Sequence, residues 1–232
     1  MTATASAEIW TCELGLVPYE QANALQEELC GRRIAGEIPD TVLLLEHPPV
    51  VTRGRRGRGE APPADIPVVD VDRGGRLTYH GPGQLVAYPI VAVEDVVGHV
   101  RTLEAAVVAA LAHEGITAHA RADEGPDYTG VWVQERKIAS IGVHVRHSVA
   151  THGLALNVDN DLAPFATFTP CGLDGVQMTS LARELGVAGC PRGTTCVGRR
   201  VAHEIARLRA ARVRVVGPAR LAAHDRPAVA AL

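Results

Sequence analysis

The chain has 232 residues, of which 47% are hydrophobic and 21% charged, so length and composition fit a globular protein with a sizeable core. A net charge of −3 argues against general binding to nucleic-acid phosphates, and two Trp, four Tyr and two Phe are too few for base stacking. No run of about 18 apolar residues predicts a membrane span, and the N-terminus lacks a signal-peptide layout, so a cytoplasmic protein is expected.

The first half of the chain alternates between predicted helices and strands. Apolar residues at helical spacing predict a helix from Pro18 to about Ile34. The apolar run 41–47 has the length of a buried strand, and residues 101–113 form an alanine-rich helical pattern that ends at Gly115. These elements belong to the α/β class.

The second half begins with a cluster of strands. Alternating β-branched residues in 128–134, 137–145 and 153–158 predict three consecutive antiparallel strands, with residues 134–136 as the first connection. Two helices are expected next, over 178–186 and from about Thr194 to Arg209. The whole order predicts a single α/β domain around a mixed β-sheet, covering residues 1–215, with a loose C-terminal tail at 216–232.

Cysteine usage argues against structural metal or disulfide bonding. The five cysteines are odd in number, irregularly spaced and without a C-x-x-C pair. Neither a zinc site nor a disulfide framework is expected, and most of these thiols should be small core residues. They are Cys12, Cys30, Cys171, Cys190 and Cys196.

Lysine occurs once, at Lys137, beside 22 arginines. A guanidinium keeps its proton in proteins, whereas a buried or crowded amine can give it up. Retaining one amine among so many guanidiniums suggests a site that needs a proton donor and acceptor. The alternative is one ordinary surface lysine in an arginine-biased composition.

Three further segments are candidates for chemistry. The glycine-rich segment 73–90 permits close backbone approach to a ligand but matches no phosphate-loop pattern, so a plain hairpin with a surface His80 remains open. His152 begins a predicted strand as a His-Gly pair, which is more often structural. Cys171 lies between Pro170 and Gly172, a turn that would present a nucleophilic thiol if a base lowered its pKa from about 8.5. Lys137 is the candidate base, and a buried turn cysteine is the alternative.

Segment 52–59 carries four arginines on a glycine-rich loop. Such a run is usually solvated. Its functional interpretation is a docking patch for an acidic protein, acting mainly on the rate of association. The four are Arg53, Arg55, Arg56 and Arg58.

Five blocks together resemble the lipoyl(octanoyl) transferases, and they span roughly residues 10–210. They are LEHPPVVTRGRRG (45–57), RGGRLTYHGPGQLVAYPI (73–90), GVWVQERKIASIGVHV (130–145), THGLALNV (151–158) and FTPCGLDGVQMTSL (168–181). The resemblance implies the mixed-sheet α/β fold of biotin and lipoate protein ligases. One departure is Arg53, where a small or apolar residue is commoner, and it bears on partner contacts rather than on chemistry.

The resemblance also implies roles for individual residues. Cys171 is the acyl-accepting nucleophile, and Lys137 lowers the pKa of its thiol and shuttles protons. His152 and Gly172 are further candidates at the site. The expected lining of the acyl site is Arg73, Gly74, Gly75, Arg76, Leu77, Thr78, Tyr79, His80, Ser140, Ile141, Gly142, Gly153, Leu154 and Ala155.

The implied reaction moves octanoyl from acyl carrier protein through a Cys171 thioester to a lysine of lipoyl domains in 2-oxoacid dehydrogenase complexes or of the glycine cleavage H protein. No cofactor, metal or ATP is expected, because the donor thioester is already activated, and a monomer is expected. One alternative is a lipoate or biotin protein ligase that adenylates a free acid with ATP, since such an enzyme shares the fold. The other is a non-enzymatic carrier or scaffold that binds acyl carrier protein through the arginine loop.

Overall fold

The structure is a computed structural model that describes residues 7–61, 63–168, 175–190 and 192–222. Five α-helices lie in this part of the chain: α1 (Tyr19–Ile34), α2 (Val96–Ala112), α3 (Leu181–Leu185), α4 (Gly193–Leu208) and α5 (Pro218–Ala222). The strands are β1 (Ala7–Leu16), β2 (Asp40–Glu46), β3 (Val50–Arg53), β4 (Val68–Asp70), β5 (Leu77–His80), β6 (Gln84–Ala92), β7 (His119–Ala120), β8 (Gly130–Val133), β9 (Arg136–Arg146), β10 (Val149–Asn157), β11 (Gln177–Met178) and β12 (Ala211–Val215). None of the helices in these ranges combines the length and apolarity needed to cross a membrane.

The main sheet is mixed, as the sequence predicts. Its order is β12-β1-β2-β6-β10-β9-β8-β7, and β11 pairs with β9 outside this path. The pairs β1/β12, β1/β2 and β9/β11 are parallel. All neighbours along the path β2-β6-β10-β9-β8-β7 pair antiparallel. The three consecutive antiparallel strands β8, β9 and β10 are confirmed.

Helices cover both faces of this sheet, which explains the continuous apolar runs in its central strands. In β2, Val42 and Leu44 join the core beneath α2 and α4, whereas Leu43 and Leu45 join the core beneath α1. This division follows from the two-residue period of a strand. The sheet therefore forms the middle layer of a three-layer domain.

A second, three-stranded sheet in the order β4-β3-β5 was not predicted. It has its own small core, in which Val51, Leu77 and Tyr79 pack with Phe165 and Met178. Strand β5 leads through a turn into β6 of the main sheet, so the glycine-rich segment 73–90 joins the two sheets. This junction positions the candidate site.

Several predicted boundaries need correction. Helix α2 begins at Val96 rather than Arg101, because the Asp95 side chain caps it by accepting the Val97 N–H at 2.9 Å. Arg136 belongs to β9 rather than to the connection before it. Met178 belongs to β11, and the predicted helix 178–186 is shortened to α3, which Ser180 caps.

The predicted tail at 216–232 is wrong for its first residues. Pro218–Ala222 form α5, whose Leu221 is buried against the α1 side of the sheet, and the Leu221 carbonyl accepts a hydrogen bond from Arg32. Residues 223–232 lie outside the described residues. The sequence pattern missed this helix because five residues are too short to show a helical period.

Candidate active site

A cavity of about 560 Å³ opens where the two sheets meet. It is bounded by the glycine-rich loop at residues 73–76, the middle of β9 and β10, the first turns of α2 and the segment 122–129. Thirteen residues expected at the acyl site line it: Arg73, Gly74, Gly75, Arg76, Leu77, Thr78, His80, Ser140, Ile141, Gly142, Gly153, Leu154 and Ala155.

One residue expected at the site lies elsewhere. Tyr79 does not line the cavity, although it shares a face of β5 with Leu77, which does. It packs instead against Phe165, with ring centroids 5.5 Å apart, in the core of the small sheet.

The glycine-rich loop lies directly on β9. The N–H of Gly74 donates to the Val143 carbonyl at 2.9 Å, and a Cβ on Gly142 would lie 2.8 Å from the Gly74 oxygen. This close approach requires glycine at position 142. Arg73, which is 8% exposed, fixes the loop by donating to Thr52 O and Oγ1 at 2.8 Å and to Arg76 O at 3.0 Å.

One wall of the cavity is polar and, apart from the buried Tyr19 hydroxyl, internally hydrogen-bonded. It contains Tyr19, Tyr88 and His80, with His47 behind them. Burial lowers the pKa of His47, and burial followed by the proximity of His47 lowers that of His80 well below 6.5, so both rings are neutral at pH 7. His47 therefore donates through Nδ1 to Val17 O at 2.6 Å and accepts the Tyr88 hydroxyl through Nε2 at 2.8 Å.

A buried chain of amides joins this wall to the strand of Lys137. His80 Nδ1 lies 2.8 Å from Gln84 Oε1, and Gln84 Nε2 donates to Asn157 Oδ1 at 3.0 Å. Asn157 then donates to Thr179 O at 3.0 Å, and the Thr179 N–H donates to Lys137 O at 2.9 Å. The chain fixes the relative position of the two sides of the site.

Asp72 supplies a carboxylate that the sequence did not pair with any histidine. His152 Nε2 lies 2.8 Å from Asp72 Oδ1, and His144 Nε2 lies 3.2 Å from Oδ2. The hydrogen bond from His152, together with the proximity of both imidazoles, lowers the pKa of Asp72. Because Asp72 directly precedes Arg73, this contact ties the glycine-rich loop to β9 and β10.

Lys137 is completely buried, so it is not an ordinary surface lysine. Its Nζ donates to the Thr129 carbonyl at 2.8 Å and lies 5.2 Å from the centroid of the Trp132 ring. Thr129 itself lines the cavity. Lys137 does not itself line the cavity, but from within the sheet its amine contacts a residue that does.

Cys171 and Gly172 lie outside the described residues. The described chain resumes at Gly175, and the strand that follows, β11, pairs Gln177 with Arg136 and Met178 with Lys137. Seven positions therefore separate Cys171 from the residue paired with Lys137. The strand that carries the amine, β9, is therefore the partner of the first described strand that follows Cys171 in sequence.

The other cysteines are not suited to nucleophilic chemistry at this site. Cys12 and Cys30 are buried, and burial raises the pKa of the Cys12 thiol to about 11 and also raises that of Cys30. Cys190 and Cys196 are partly exposed and do not line the cavity. Among the described residues, no cluster of histidine, cysteine and carboxylate side chains could hold a metal ion.

The arginine loop is partly neutralised by carboxylates. Arg53 contacts Asp70 at 2.6 Å, and Arg56 contacts Asp127 at 2.7 Å. Arg55 is exposed, and both Arg55 and Arg56 line the mouth of the cavity. The loop is therefore part of the cavity rim rather than a separate solvated run.

Sequence analysis missed much of the lining. Tyr19, Tyr88 and Thr129 line the cavity, as do the α2 residues Val96, Val97, Val100 and Arg101. The adjacent valines Val96 and Val97, which directly follow the helix-capping Asp95 in sequence, were a usable signal. In the structure both are exposed and leave apolar surface at the mouth of the cavity. No local pattern marks Tyr19 or Tyr88.

Comparison with known proteins identifies the family of the chain. Residues 18–196 match the family model of the lipoyl protein ligase A/B catalytic domain. A crystal structure of lipoate-protein ligase A bound with ATP has a TM-score of 0.66 at 16% identity, covering 91% of this chain and 89% of that one. A biotin protein ligase from Aquifex aeolicus in complex with biotin and ATP has a TM-score of 0.52 at 17% identity, covering 87% and 69%. Fold and family model together define a lipoyl protein ligase A/B catalytic domain.

Closer relatives narrow the class. An octanoyltransferase of Acidothermus cellulolyticus is 51% identical over 74% of this chain and 80% of its own length. An octanoyltransferase of Mycobacterium tuberculosis is 48% identical over 75% of this chain and 76% of its own. The chain therefore belongs to the octanoyltransferases within the lipoyl protein ligase A/B family, which are transferases of protein lipoylation.

Proposed function

We propose that the protein transfers octanoyl from the phosphopantetheine thioester of acyl carrier protein to the ε-amine of a lysine on lipoyl domains, through a thioester on Cys171. The observation that carries this proposal is the burial of Lys137, whose amine donates a hydrogen bond to the carbonyl of the cavity-lining Thr129. The only lysine amine in the sequence, fully buried and hydrogen-bonded to a residue that lines the cavity, suits proton transfer to and from a thiol. The octanoyltransferases among the relatives support the acyl group.

The proposed chemistry has two balanced steps. Lys137 takes the proton of the Cys171 thiol, the thiolate attacks the donor carbonyl, and the phosphopantetheine thiolate leaves with that proton. In the second step the neutral acceptor amine attacks the enzyme thioester, Lys137 accepts the amine proton, and Cys171 departs as a thiol. No ATP is required, because the acyl group of the donor is already activated as a thioester.

The cavity offers a suitable place for an eight-carbon chain. Ile141 and Leu154 on β9 and β10 face it together with Val100 of α2. Each buried methylene contributes about 0.8 kcal/mol, so chain length affects affinity about fourfold per carbon. The glycine-rich loop on β9 forms one side of the cavity.

The basic mouth of the cavity fits an anionic donor arm. Arg55 and Arg56 lie at the rim with Arg76 and Arg101, and Asp127 is the carboxylate beside them. A phosphopantetheine phosphate entering here would meet several guanidiniums. We assign this rim to the carrier protein, and the acceptors to lipoyl domains of 2-oxoacid dehydrogenase complexes and the glycine cleavage H protein.

The deciding experiment is an intact-mass measurement after incubation with octanoyl-acyl carrier protein, without ATP or acceptor. One octanoyl adduct that hydroxylamine removes and that Cys171→Ala lacks is expected, and Cys190→Ala serves as the matched control with the adduct retained. Adduct-free protein that becomes active only with ATP and a free fatty acid would contradict the proposal and indicate a ligase. Adduct-free protein that transfers octanoyl directly to a lipoyl domain would contradict the acyl-enzyme alone.

A further inference from the structure

Gly130 occupies a position next to Lys137 where a side chain would collide with the lysine side chain. Its φ is +137°, and a Cβ built there would lie 2.7 Å from Lys137 Cε and 3.3 Å from Nζ, and closer still to the Ala139 carbonyl oxygen. These separations are too short for ordinary contacts, so the space that the lysine uses exists because residue 130 is glycine.

An irregularity in the strand pairing brings the two residues together. Trp132 of β8 pairs with Lys137 of β9, but Val131 pairs with Ala139, so Ile138 is an extra residue on β9. Ile138 and Ala139 are consequently both buried in the core beneath α2 and α4. A bulge of this kind re-aims the neighbouring side chain, here that of Lys137.

Glu104 anchors this arrangement from α2. It is 1% exposed, and its Oε1 accepts the Gly130 N–H at 3.0 Å. Its Oε2 pairs with Arg101 Nη1 at 2.6 Å, and Arg101 lines the cavity. Burying a carboxylate is costly, so its retention beside Gly130 indicates a specific use.

Taken together, these contacts set the carboxylate within about 9 Å of the Lys137 amine, by standard bond lengths. The Glu104 contact holds the backbone N–H of Gly130, and the missing side chain of Gly130 leaves the space for Nζ. A displacement of this backbone would be passed directly to the amine.

We propose that Glu104 and Gly130 are positioning residues for Lys137: the Glu104 carboxylate fixes the Gly130 backbone, and that backbone holds the lysine amine against the cavity-lining Thr129. This inference rests on the proposed function only for its kinetic consequence. The position of the amine can be measured without any turnover.

The test uses the fact that the chain contains a single lysine. Protein grown with lysine labelled with ¹³C at the ε-carbon gives one lysine signal, and its chemical shift is displaced by the Trp132 ring, whose centroid is 5.2 Å from Nζ. Glu104→Leu removes the acceptor at similar volume, and Glu104→Gln retains an oxygen that can accept the Gly130 N–H. Glu204→Leu, at a buried carboxylate on α4, is the matched control.

In Glu104→Leu, the lysine signal is expected to move toward that of free lysine, and kcat should fall by on the order of tenfold to a hundredfold with KM for the octanoyl donor within about twofold. Glu104→Gln should restore both the signal and kcat, and Glu204→Leu should change neither. An unmoved signal in Glu104→Leu, or a glutamine variant that behaves like the leucine variant, would overturn the proposal.

Folding of each variant is checked by circular dichroism. Gly130→Ala provides the independent second perturbation, since its Cβ would push the amine aside and should move the same signal; an unmoved signal there overturns the proposal as well. If Lys137→Arg retained turnover while Glu104→Leu displaced the lysine signal, the catalytic role of Lys137 would fail and the positioning would stand.

Discussion

His99 should make the stability of this protein depend on pH in mildly acidic solution. It lies in the first turns of α2, is 4% exposed, and neither ring nitrogen has a hydrogen-bond partner among the described residues. Burial, together with the charge of Arg209, lowers its pKa from 6.5 to about 4. The ring is therefore neutral in the folded protein well below the pH at which it becomes charged in the unfolded chain.

The sign follows from proton linkage. Between pH 6.5 and 4, His99 binds a proton in the unfolded chain but not in the folded protein. The contribution of His99 to the free energy of unfolding is therefore fully present above pH 6.5 and is lost as the pH falls toward 4. Integrated over the two titrations, the loss at pH 5.0 relative to pH 7.5 is about 2 kcal/mol from this residue alone. Buried His47 and His80 act in the same direction.

The perturbation that isolates His99 is His99→Leu, which keeps a similar volume and removes the titrating group. Urea unfolding at pH 7.5 and 5.0 should show the variant losing about 2 kcal/mol less than the natural sequence between the two conditions. At pH 7.5 its free energy of unfolding should not be lower, because both ring nitrogens were unpaired among the described residues.

His203→Leu is the control, since His203 is exposed on α4, and it should keep the full pH dependence of the natural sequence. Equal losses for His99→Leu and the natural sequence would refute the reasoning and mean that His99 is protonated or solvated in the folded state.

Three further predictions concern the site. Lys137→Arg should keep the fold but lower octanoyl transfer by at least about a hundredfold, because a guanidinium cannot release its proton; turnover near that of the natural sequence would rule out the proton shuttle. Leu154→Trp should shorten the cavity and shift the preference toward hexanoyl donors, by about fourfold in relative kcat/KM for each methylene excluded. Competition between hexanoyl- and octanoyl-acyl carrier protein tests this. An unchanged preference for octanoyl would count against placing the acyl chain beside Leu154. Asp72→Asn should release the loop contact of His152 and raise KM for the donor roughly three- to tenfold with little change in kcat; steady-state kinetics showing the opposite split would contradict it.

Much of the architecture could be predicted from local pattern. The alternation of β8, β9 and β10 and the helical period of α1 depend on residues close together in the chain, and these elements lie where expected apart from shifted ends. The second sheet was missed because β3, β4 and β5 are short and owe their pairing to one another rather than to their own sequences. Strand pairing is decided by packing against neighbours, which a short window does not contain.

The sequence by itself determined that Lys137 is the only lysine, that Cys171 stands between a proline and a glycine, and that the blocks around both belong to one family. Those features depend only on residue type and on spacing along the chain. The tertiary structure alone decided which distant residues contact each other around the site. His152 contacts Asp72, 80 residues away in sequence, and Gly130 contacts Glu104, 26 residues away. Such contacts arise where distant strands and a helix pack together, so residue spacing along the chain carries no record of them.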